Sequence, residues 1–420
     1  MNEAGLFGHA YTGTKHLIEE YTSTVVKLLE MVNEAPDTLL TYQQKAEFFR
    51  DTRQCFGRSA LVLHGGSTFG LYHLGVVKTL NEQGLLPRII CGSSVGALIA
   101  SLICIHTDEE LPDIFLPGGI NLEAFRRVGS KGSLKRKLSR LIKHGYLMDV
   151  RVLENCVRSN VGDITFEEAY ARTKRILNIT VSSTRKLEVP QLLNHLTAPN
   201  VLIWSAACAS AAMVGLYETA DLLAKDVHGN IVPWTPASIK WGESGPSEND
   251  ELPLTRMTEL FNVNHFIVSQ ANPFIAPFVS KGMSTHTNSI SVKLRNLLGS
   301  ELKHRAHQLD HMNLLPKLAR GITVEGVSGN VTISPRLSAK DFNMLISNPT
   351  SSLLYHWILK GEQSTWPLLA LLQNRCMIEL ALDRELIKLR TSRMAEPQEQ
   401  DVGNGLRPAI DVAKRTRSIH

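Results

Sequence analysis

The sequence predicts an α/β protein built on a mainly parallel sheet. Two short apolar segments, residues 60–63 and 88–91, each lead into a glycine-containing turn and then into a helical segment. A strand–turn–helix unit that repeats in this way places consecutive strands side by side and parallel. Ligands of such sheets bind at the carboxyl ends of the strands. Both turns are expected at that edge.

The remaining elements follow from the spacing of apolar residues. Two helices are expected within residues 15–55, the second over about residues 43–52. The segments that follow the two turns are expected to be helical, and the first of them ends at Gly84. The later elements are further buried strands over residues 176–181 and 265–269, a mostly helical stretch over 281–390 with a short strand pair around 322–333, and a polar segment from residue 393.

This pattern predicts four parts of the chain. They are an N-terminal helical region (1–56), a catalytic domain (57–280), a C-terminal mostly helical region (281–393) and a disordered tail (394–420).

The amino-acid composition limits the classes of function that are compatible with this chain. The chain has 420 residues, of which 43% are apolar, and a net charge of +5, which is too mild to indicate nucleic-acid binding. Its six cysteines form no C-x-x-C pair, so reduced thiols in an intracellular protein are expected rather than disulfides or a zinc site. Neither a signal peptide nor a bilayer-spanning segment is evident. No metal or cofactor is expected.

The strongest candidate for chemistry is Ser94. It is the centre of a G-x-S-x-G pentapeptide, residues 92–96 (Gly92, Ser93, Ser94, Val95, Gly96), which directly follows a buried strand. Glycines on both sides allow a sharp turn that exposes a nucleophilic hydroxyl. The helix that follows provides a positive field at its N-terminus. The alternative is an ordinary serine that caps this helix.

A second glycine-rich turn, at Gly65, Gly66 and Ser67, lies upstream. Consecutive small residues let backbone amides point into one pocket, where they can hold a tetrahedral oxyanion. A phosphate-binding loop is a weaker alternative, because the third glycine of G-x-G-x-x-G is absent. A plain tight turn is another. Pairing with Ser94 favours the oxyanion interpretation.

Together, residues 57–70 and 92–96 resemble the patatin-like phospholipases, and in particular their fungal and plant triacylglycerol lipases. The resemblance covers most of the chain and implies a three-layer α/β/α fold, a serine–aspartate dyad without histidine, and an oxyanion turn at residues 65–67. The family carries a further glycine where Ser67 stands. Other matching segments are residues 13–21, 145–149, 161–170, 198–206, 260–273 and 364–367.

The aspartate of the dyad has no direct counterpart. The family pattern W-x-D-G-S, followed by D-L-P, falls on residues 241–253, which lack the Asp-Gly dipeptide. Alignment on Trp241 puts Glu243 at the aspartate position, whereas alignment on Pro253 puts Gly245 there. Asp250 is the other nearby carboxylate and matches the later aspartate of the pattern. Neither His64, beside the glycine turn, nor His265, beside a buried strand, is expected to act as base.

The expected activity is hydrolysis of lipid acyl esters, with triacylglycerol as the first substrate class and phospholipid as the second. Residues 133–143 combine a leucine stripe with five basic residues, a pattern of helices that lie on anionic lipid. A core-facing helix is the alternative for this segment. The expected location is a lipid droplet or membrane surface. The missing Asp-Gly dipeptide supports a second hypothesis, a catalytically impaired homologue that binds lipid or a partner lipase.

Overall fold

A seven-stranded sheet organises the molecule. The computed structural model describes residues 15–65, 67–116, 118–122, 150–183, 191–212, 220–234, 241–242, 252–271, 329–335, 337–338, 341 and 350–395, with 297, 301, 304, 305 and 308. The strands are β1 (Arg58–His64), β2 (Ile89–Ser93), β3 (Ile176–Ser183), β4 (Gln191–Leu193), β5 (Leu223–Lys225), β6 (Ile231–Pro233), β7 (Trp241–Gly242), β8 (Val263–Gln270) and β9 (Val331–Ile333). Their order in the sheet is β4-β3-β2-β1-β8-β9, with β7 paired to the end of β3.

The helices of the described residues are numbered in chain order. They are α1 (His16–Glu34), α2 (Tyr42–Phe56), α3 (His73–Glu82), α4 (Val95–Ile105), α5 (Leu111–Ile114), α6 (Val150–Val161), α7 (Phe166–Thr173), α8 (Ile203–Ala211), α9 (Leu252–Phe261), α10 (Ser351–Thr365) and α11 (Leu369–Ala395). A 3-10 helix, Ser67–Tyr72, precedes α3, so the predicted helix after the first turn begins with tighter winding.

Helices cover both faces of the sheet. On β1, Leu61 and Leu63 point into the larger core, which α3, α4, α8 and α10 complete. Ala60 and Val62 point to the opposite face, which α9 covers with Met257. Burial on both faces explains why the strand is continuously apolar rather than alternating. The predicted three-layer α/β/α class with a mainly parallel sheet is thus confirmed.

The sheet pairing is parallel from β3 to β9 and antiparallel only for β4 and β7. Strand β9 pairs with β8, with Val331 opposite Ile267. A segment that was predicted as half of a local strand pair therefore extends the central sheet, while residues 322–328 lie outside the described part. The division of the chain at residues 57, 281 and 394 stays a prediction, although α11 continues to Ala395.

Helices α1 and α2 pack on the C-terminal half of α11. Leu29 of α1 and Phe49 of α2 form an apolar cluster with Leu382 and Leu389 of α11. Helix α2 begins with a capping box, in which Thr41 and Gln44 bond each other's backbone N–H groups. Residues more than 300 positions apart in sequence thus form one helical unit.

A buried polar group, which we call the basal ion cluster, joins this unit to the sheet. It consists of Arg53, Ser59, His265, Glu379 and Asp383. Arg53 donates to both carboxylates, with 3.2 Å from Nη2 to Glu379 Oε1 and 2.5 Å from Nε to Asp383 Oδ1. Glu379 also accepts from the backbone N–H of Ser59 across 2.8 Å. The cluster lies at the amino ends of β1 and β8, opposite the edge where ligands of such sheets bind.

Of the helices that the structure describes, none is long and apolar enough to cross a bilayer. The basic segment 133–143 lies outside the described residues.

Candidate active site

Ser94 forms the tip of a sharp turn between β2 and α4. Its backbone angles are φ 56° and ψ −127°, a region that residues other than glycine rarely adopt and that costs about 1–3 kcal/mol. A serine that caps a helix has an extended backbone and accepts a bond from the first turn. Ser94 makes no such side-chain bond. This geometry argues against the capping alternative and leaves the hydroxyl available.

The glycines of the pentapeptide allow this turn to form. A Cβ on Gly96 would lie 2.0 Å from the carbonyl oxygen of Leu63, and one on Gly92 would lie 2.5 Å from the Cα of Ala97. The start of α4 therefore sits directly on the ends of β1 and β2. An 11-residue helix that begins beneath Ser94 directs its positive end toward the hydroxyl.

The upstream glycine turn contacts the pentapeptide. Gly65 follows β1 with a φ of 71°, and the 3-10 helix starts at Ser67, whereas Gly66 lies outside the described residues. A Cβ on Gly70 would lie 2.6 Å from Cγ1 of Val95, the residue after Ser94. The two turns thus meet at the carboxyl edge of the sheet, as the parallel arrangement predicts.

His64 ends β1 beside this edge. Its Nδ1 lies 2.9 Å from the Oγ of Ser93, the residue directly opposite it on β2. Burial lowers the pKa of His64 to about 4. The ring is therefore neutral at pH 7, bonded to the serine that precedes the candidate nucleophile.

A buried hydrogen-bond chain lies beneath the glycine turn. The hydroxyl of Tyr72 donates to the carbonyl of Ile333 across 2.8 Å, and the Oγ of Ser269 donates to that of Tyr72 across 2.7 Å. Ser269 has then used its one hydrogen, so it accepts from Nδ1 of His73, 2.7 Å away. Burial lowers the pKa of His73 to about 3 and raises that of Tyr72. These hydrogen bonds join the start of α3 to β8 and β9.

Acid should destabilise the protein through its buried histidines. Histidines of the unfolded chain take up protons near pH 6.5. In the folded chain, His64, His73 and His265 stay neutral until about pH 4, 3 and 4, because burial lowers the pKa of each. Below pH 6.5 the unfolded state binds more protons, so each group removes up to about 1.4 kcal/mol per pH unit. Urea midpoints should be constant from pH 8 to 7 and fall steeply between pH 6.5 and 4.

His73→Asn, which keeps a donor for Ser269, should make this fall in the midpoint shallower, because it removes one of the three groups. Replacement of the exposed His228 by Gln should leave the fall unchanged. A wild-type midpoint that is constant down to pH 5 would contradict the assignment of three histidine rings held neutral by burial.

The candidate bases lie outside the described residues, since both Glu243 and Asp250 fall in the segment 243–250. The strand that leads to this segment does lie within the described residues. Strand β7 ends at Gly242, which pairs with Ser182 near the carboxyl end of β3. Strand β3 neighbours β2, and β2 leads into Ser94. Chain that continues from Gly242 therefore starts one strand away from the candidate nucleophile, at the same edge.

One contact of Ser94 was not predicted from the sequence. Its backbone N–H donates to the Oγ of Ser210, 3.0 Å away. Ser210 lies near the end of α8, in a run of small residues that carries no local signal of a site.

His265, which was not expected to act as base, is buried with its Nδ1 3.0 Å from the Oγ of Ser59 in the basal ion cluster.

Comparison with known proteins identifies the family of this chain. A model of the patatin-like phospholipase family matches residues 61–236, and a model of a domain of unknown function matches residues 1–54. The chain is 38% identical to triacylglycerol lipase ptl1 of Schizosaccharomyces pombe over 94% of this chain and 72% of that protein. It is 39% identical to triacylglycerol lipase SDP1L of Arabidopsis thaliana over 87% of this chain and 47% of that protein.

The chain thus spans about half the length of some of its curated relatives and nearly three quarters of another. Among solved structures, the type III effector ExoU aligns over 79% of this chain and 54% of that chain, with 15% identity and a TM-score of 0.30. With an identity of 38% over most of ptl1, and with a patatin model that spans both glycine turns, the chain belongs to the patatin-like phospholipase family.

Proposed function

We propose that this protein hydrolyses acyl esters of neutral glycerolipids, with triacylglycerol as the main substrate class. The observation that carries the proposal is the backbone of Ser94, held at positive φ on a strand-to-helix turn with no capping bond. Relatives named as triacylglycerol lipases, at 38% and 39% identity, support this substrate class. Phospholipids are a secondary class, because a glycerol ester is common to both.

In the proposed reaction, the Oγ of Ser94 attacks the ester carbonyl while a carboxylate takes its proton. Backbone amides of residues 65–67 stabilise the oxyanion, and the positive end of α4 adds to that field. The tetrahedral species collapses, the carbon–oxygen bond to glycerol breaks, and the alcohol leaves with the proton. Water then attacks the acyl–serine ester, releases the fatty acid and restores Ser94.

Glu243 is our first candidate for the base. The position of β7 supports this choice, because Gly242, the residue before Glu243, pairs with Ser182 near the carboxyl end of β3. Glutamate reaches one methylene further than the aspartate of the family pattern, and misplacement of about 1 Å can cost about 100-fold in rate. Asp250 is the second candidate. A carboxylate from either position fits a dyad without histidine, and the Nδ1 of His64 is already bonded to the Oγ of Ser93.

The base assignment predicts a specific pattern of losses. In a triolein assay, Glu243→Gln should lower kcat at least about 100-fold, and Asp250→Asn should leave it within about threefold. Labelling by a fluorophosphonate, in which Ser94 Oγ displaces fluoride from phosphorus, should slow in parallel. Glu259→Gln, an exposed carboxylate on α9 that pairs with Arg256, is the matched control and should behave as wild type.

Full activity of Glu243→Gln together with loss of activity in Asp250→Asn would show that Asp250, rather than Glu243, is the base. Wild-type protein that neither labels nor hydrolyses triolein would contradict the enzyme proposal. It would support the second hypothesis, an impaired homologue that binds lipid or a partner lipase, for which the absent Asp-Gly dipeptide is the supporting feature.

We further propose that the protein works inside the cell at a lipid surface, either a droplet or a membrane. The substrate class supports this, because triacylglycerol is insoluble in water and must be reached at an interface. Five basic residues within 133–143 would attract anionic headgroups. Docking through this segment stays a prediction.

A further inference from the structure

The backbone N–H of Ser94 has a partner on a distant helix. It donates to the Oγ of Ser210 across 3.0 Å, and Ser210 is only 4% exposed. Ser205, on the same helix α8, instead donates back to the carbonyl of Leu202 across 2.8 Å. Within the described part of the chain, Ser210 has no such bond to its own helix. Its side chain is turned toward the elbow that carries the candidate nucleophile.

The conformation of Ser94 explains why such a partner matters. A residue other than glycine persists at φ 56° and ψ −127° only when its surroundings fix it there. Gly92 and Gly96 allow the turn by close approach, but they do not bond the peptide of Ser94. The hydroxyl of Ser210 does so directly. A partly buried N–H that lost this acceptor would favour a rotation of the peptide toward another partner.

The same helix also contacts the chain that approaches the candidate bases. Helix α8 packs against β7, whose last residue, Gly242, immediately precedes Glu243. One short helix thus contacts both the peptide of the candidate nucleophile and the strand that leads to its proposed partner.

We propose that Ser210 is a positioning residue, which holds the backbone of Ser94 in the orientation that aims its hydroxyl at the substrate carbonyl. This inference rests on the proposed function, because it assigns Ser210 a role in that reaction. Ser210 neither touches the substrate nor gains or loses a proton. Its loss should therefore lower the rate of attack and leave substrate binding nearly unchanged.

The test compares three variants. Ser210→Ala removes the acceptor, Ser210→Cys keeps a weaker one of similar size, and Ser205→Ala removes a buried hydroxyl from the same helix away from the elbow. We expect kcat for triolein and the rate of fluorophosphonate labelling to fall about 10- to 100-fold in Ser210→Ala. The fall should be smaller in Ser210→Cys, and KM should stay within about twofold in both. Ser205→Ala should lower the melting temperature while kcat stays at the wild-type value.

Hydrogen exchange gives a readout that does not depend on activity. The peptide that covers residues 91–96 should exchange about tenfold faster in Ser210→Ala than in wild type, and at the wild-type rate in Ser205→Ala. Ser210→Cys serves the same comparison if the alanine variant does not fold. Unchanged exchange, or an unchanged kcat in Ser210→Ala, would overturn the role of Ser210. Inactive wild-type protein with the expected exchange pattern would contradict only the proposed function.

Discussion

Replacement of Ser94 by glycine should abolish ester hydrolysis and at the same time make the fold more stable. Ser94 has a φ of 56°, which glycine adopts without steric cost, whereas other residues store about 1–3 kcal/mol of strain there. Glycine also gains entropy in the unfolded chain, which offsets roughly 0.5–1 kcal/mol of this relief. The net expected increase in the free energy of unfolding is about 1 kcal/mol, measured by urea denaturation at pH 7.

Ser94→Ala is the matched control for this prediction. It removes the same hydroxyl, so the loss of triolein hydrolysis should be equal, at about 10⁴-fold or more. Alanine retains a Cβ and therefore retains the strain, so its stability should stay close to that of wild type. Activity in either variant within about tenfold of wild type would exclude Ser94 as the nucleophile.

The relative stabilities of the alanine and glycine variants also distinguish a nucleophilic Ser94 from one that caps a helix. A serine that caps a helix loses about 1 kcal/mol on replacement by alanine, and less on replacement by glycine. Ser94 makes no capping bond, so the alanine variant should be nearly neutral and the glycine variant should gain stability. An alanine variant that loses about 1 kcal/mol would restore the capping interpretation.

Local pattern was sufficient to locate this turn from the sequence. Glycine is required where backbones approach closely, and Gly92 and Gly96 both meet backbone atoms within 2.5 Å of an added Cβ. Such requirements appear in the sequence as glycines at fixed spacing after a buried strand. The parallel sheet, the helix over residues 95–105 and the contact between the two glycine turns all follow from that local information.

Contacts between residues that are distant in the chain produce no comparable pattern in the sequence. Ser210 is one serine in a run of small residues, and only the fold brings it to the N–H of Ser94. Strand β9 is three residues long, and its place beside β8 depends on chain that comes between them. A two-residue strand such as β7 is too short to show an alternation of apolar and polar residues. These features depend on packing of the whole domain rather than on local propensity.

The two ends of the sheet are therefore expected to respond differently to substitution. Ser94, Gly65 and the end of β7 lie at the carboxyl edge, where substitutions should alter rates. The basal ion cluster lies at the amino ends of β1 and β8, where substitutions should alter stability. Ser59 and His64 are five residues apart on β1, which corresponds to about 16 Å along a strand.

Arg53→Met should therefore destabilise the fold strongly without changing the chemistry. The guanidinium is buried, donates to Glu379 and Asp383, and also bonds the carbonyl of Gly57. Its removal leaves Glu379, 6% exposed, without its buried countercharge, although Ser59 still donates to it. Loss of one partner from a buried ion pair typically costs about 3–5 kcal/mol. We expect a loss of that size in the free energy of unfolding, with kcat for triolein within about twofold of wild type below the transition.

An exposed ion pair provides the control for this prediction, because only burial distinguishes the two cases. Arg256 pairs with Glu259 across 2.9 Å, with both side chains more than half exposed, so Arg256→Met should change stability by less than about 0.5 kcal/mol. The double variant Arg53→Met/Glu379→Leu removes the stranded charge and should recover part of the loss, leaving Asp383, which is 21% exposed, to solvent. A loss below about 1 kcal/mol for Arg53→Met would contradict the stabilising role that we assign to the basal ion cluster.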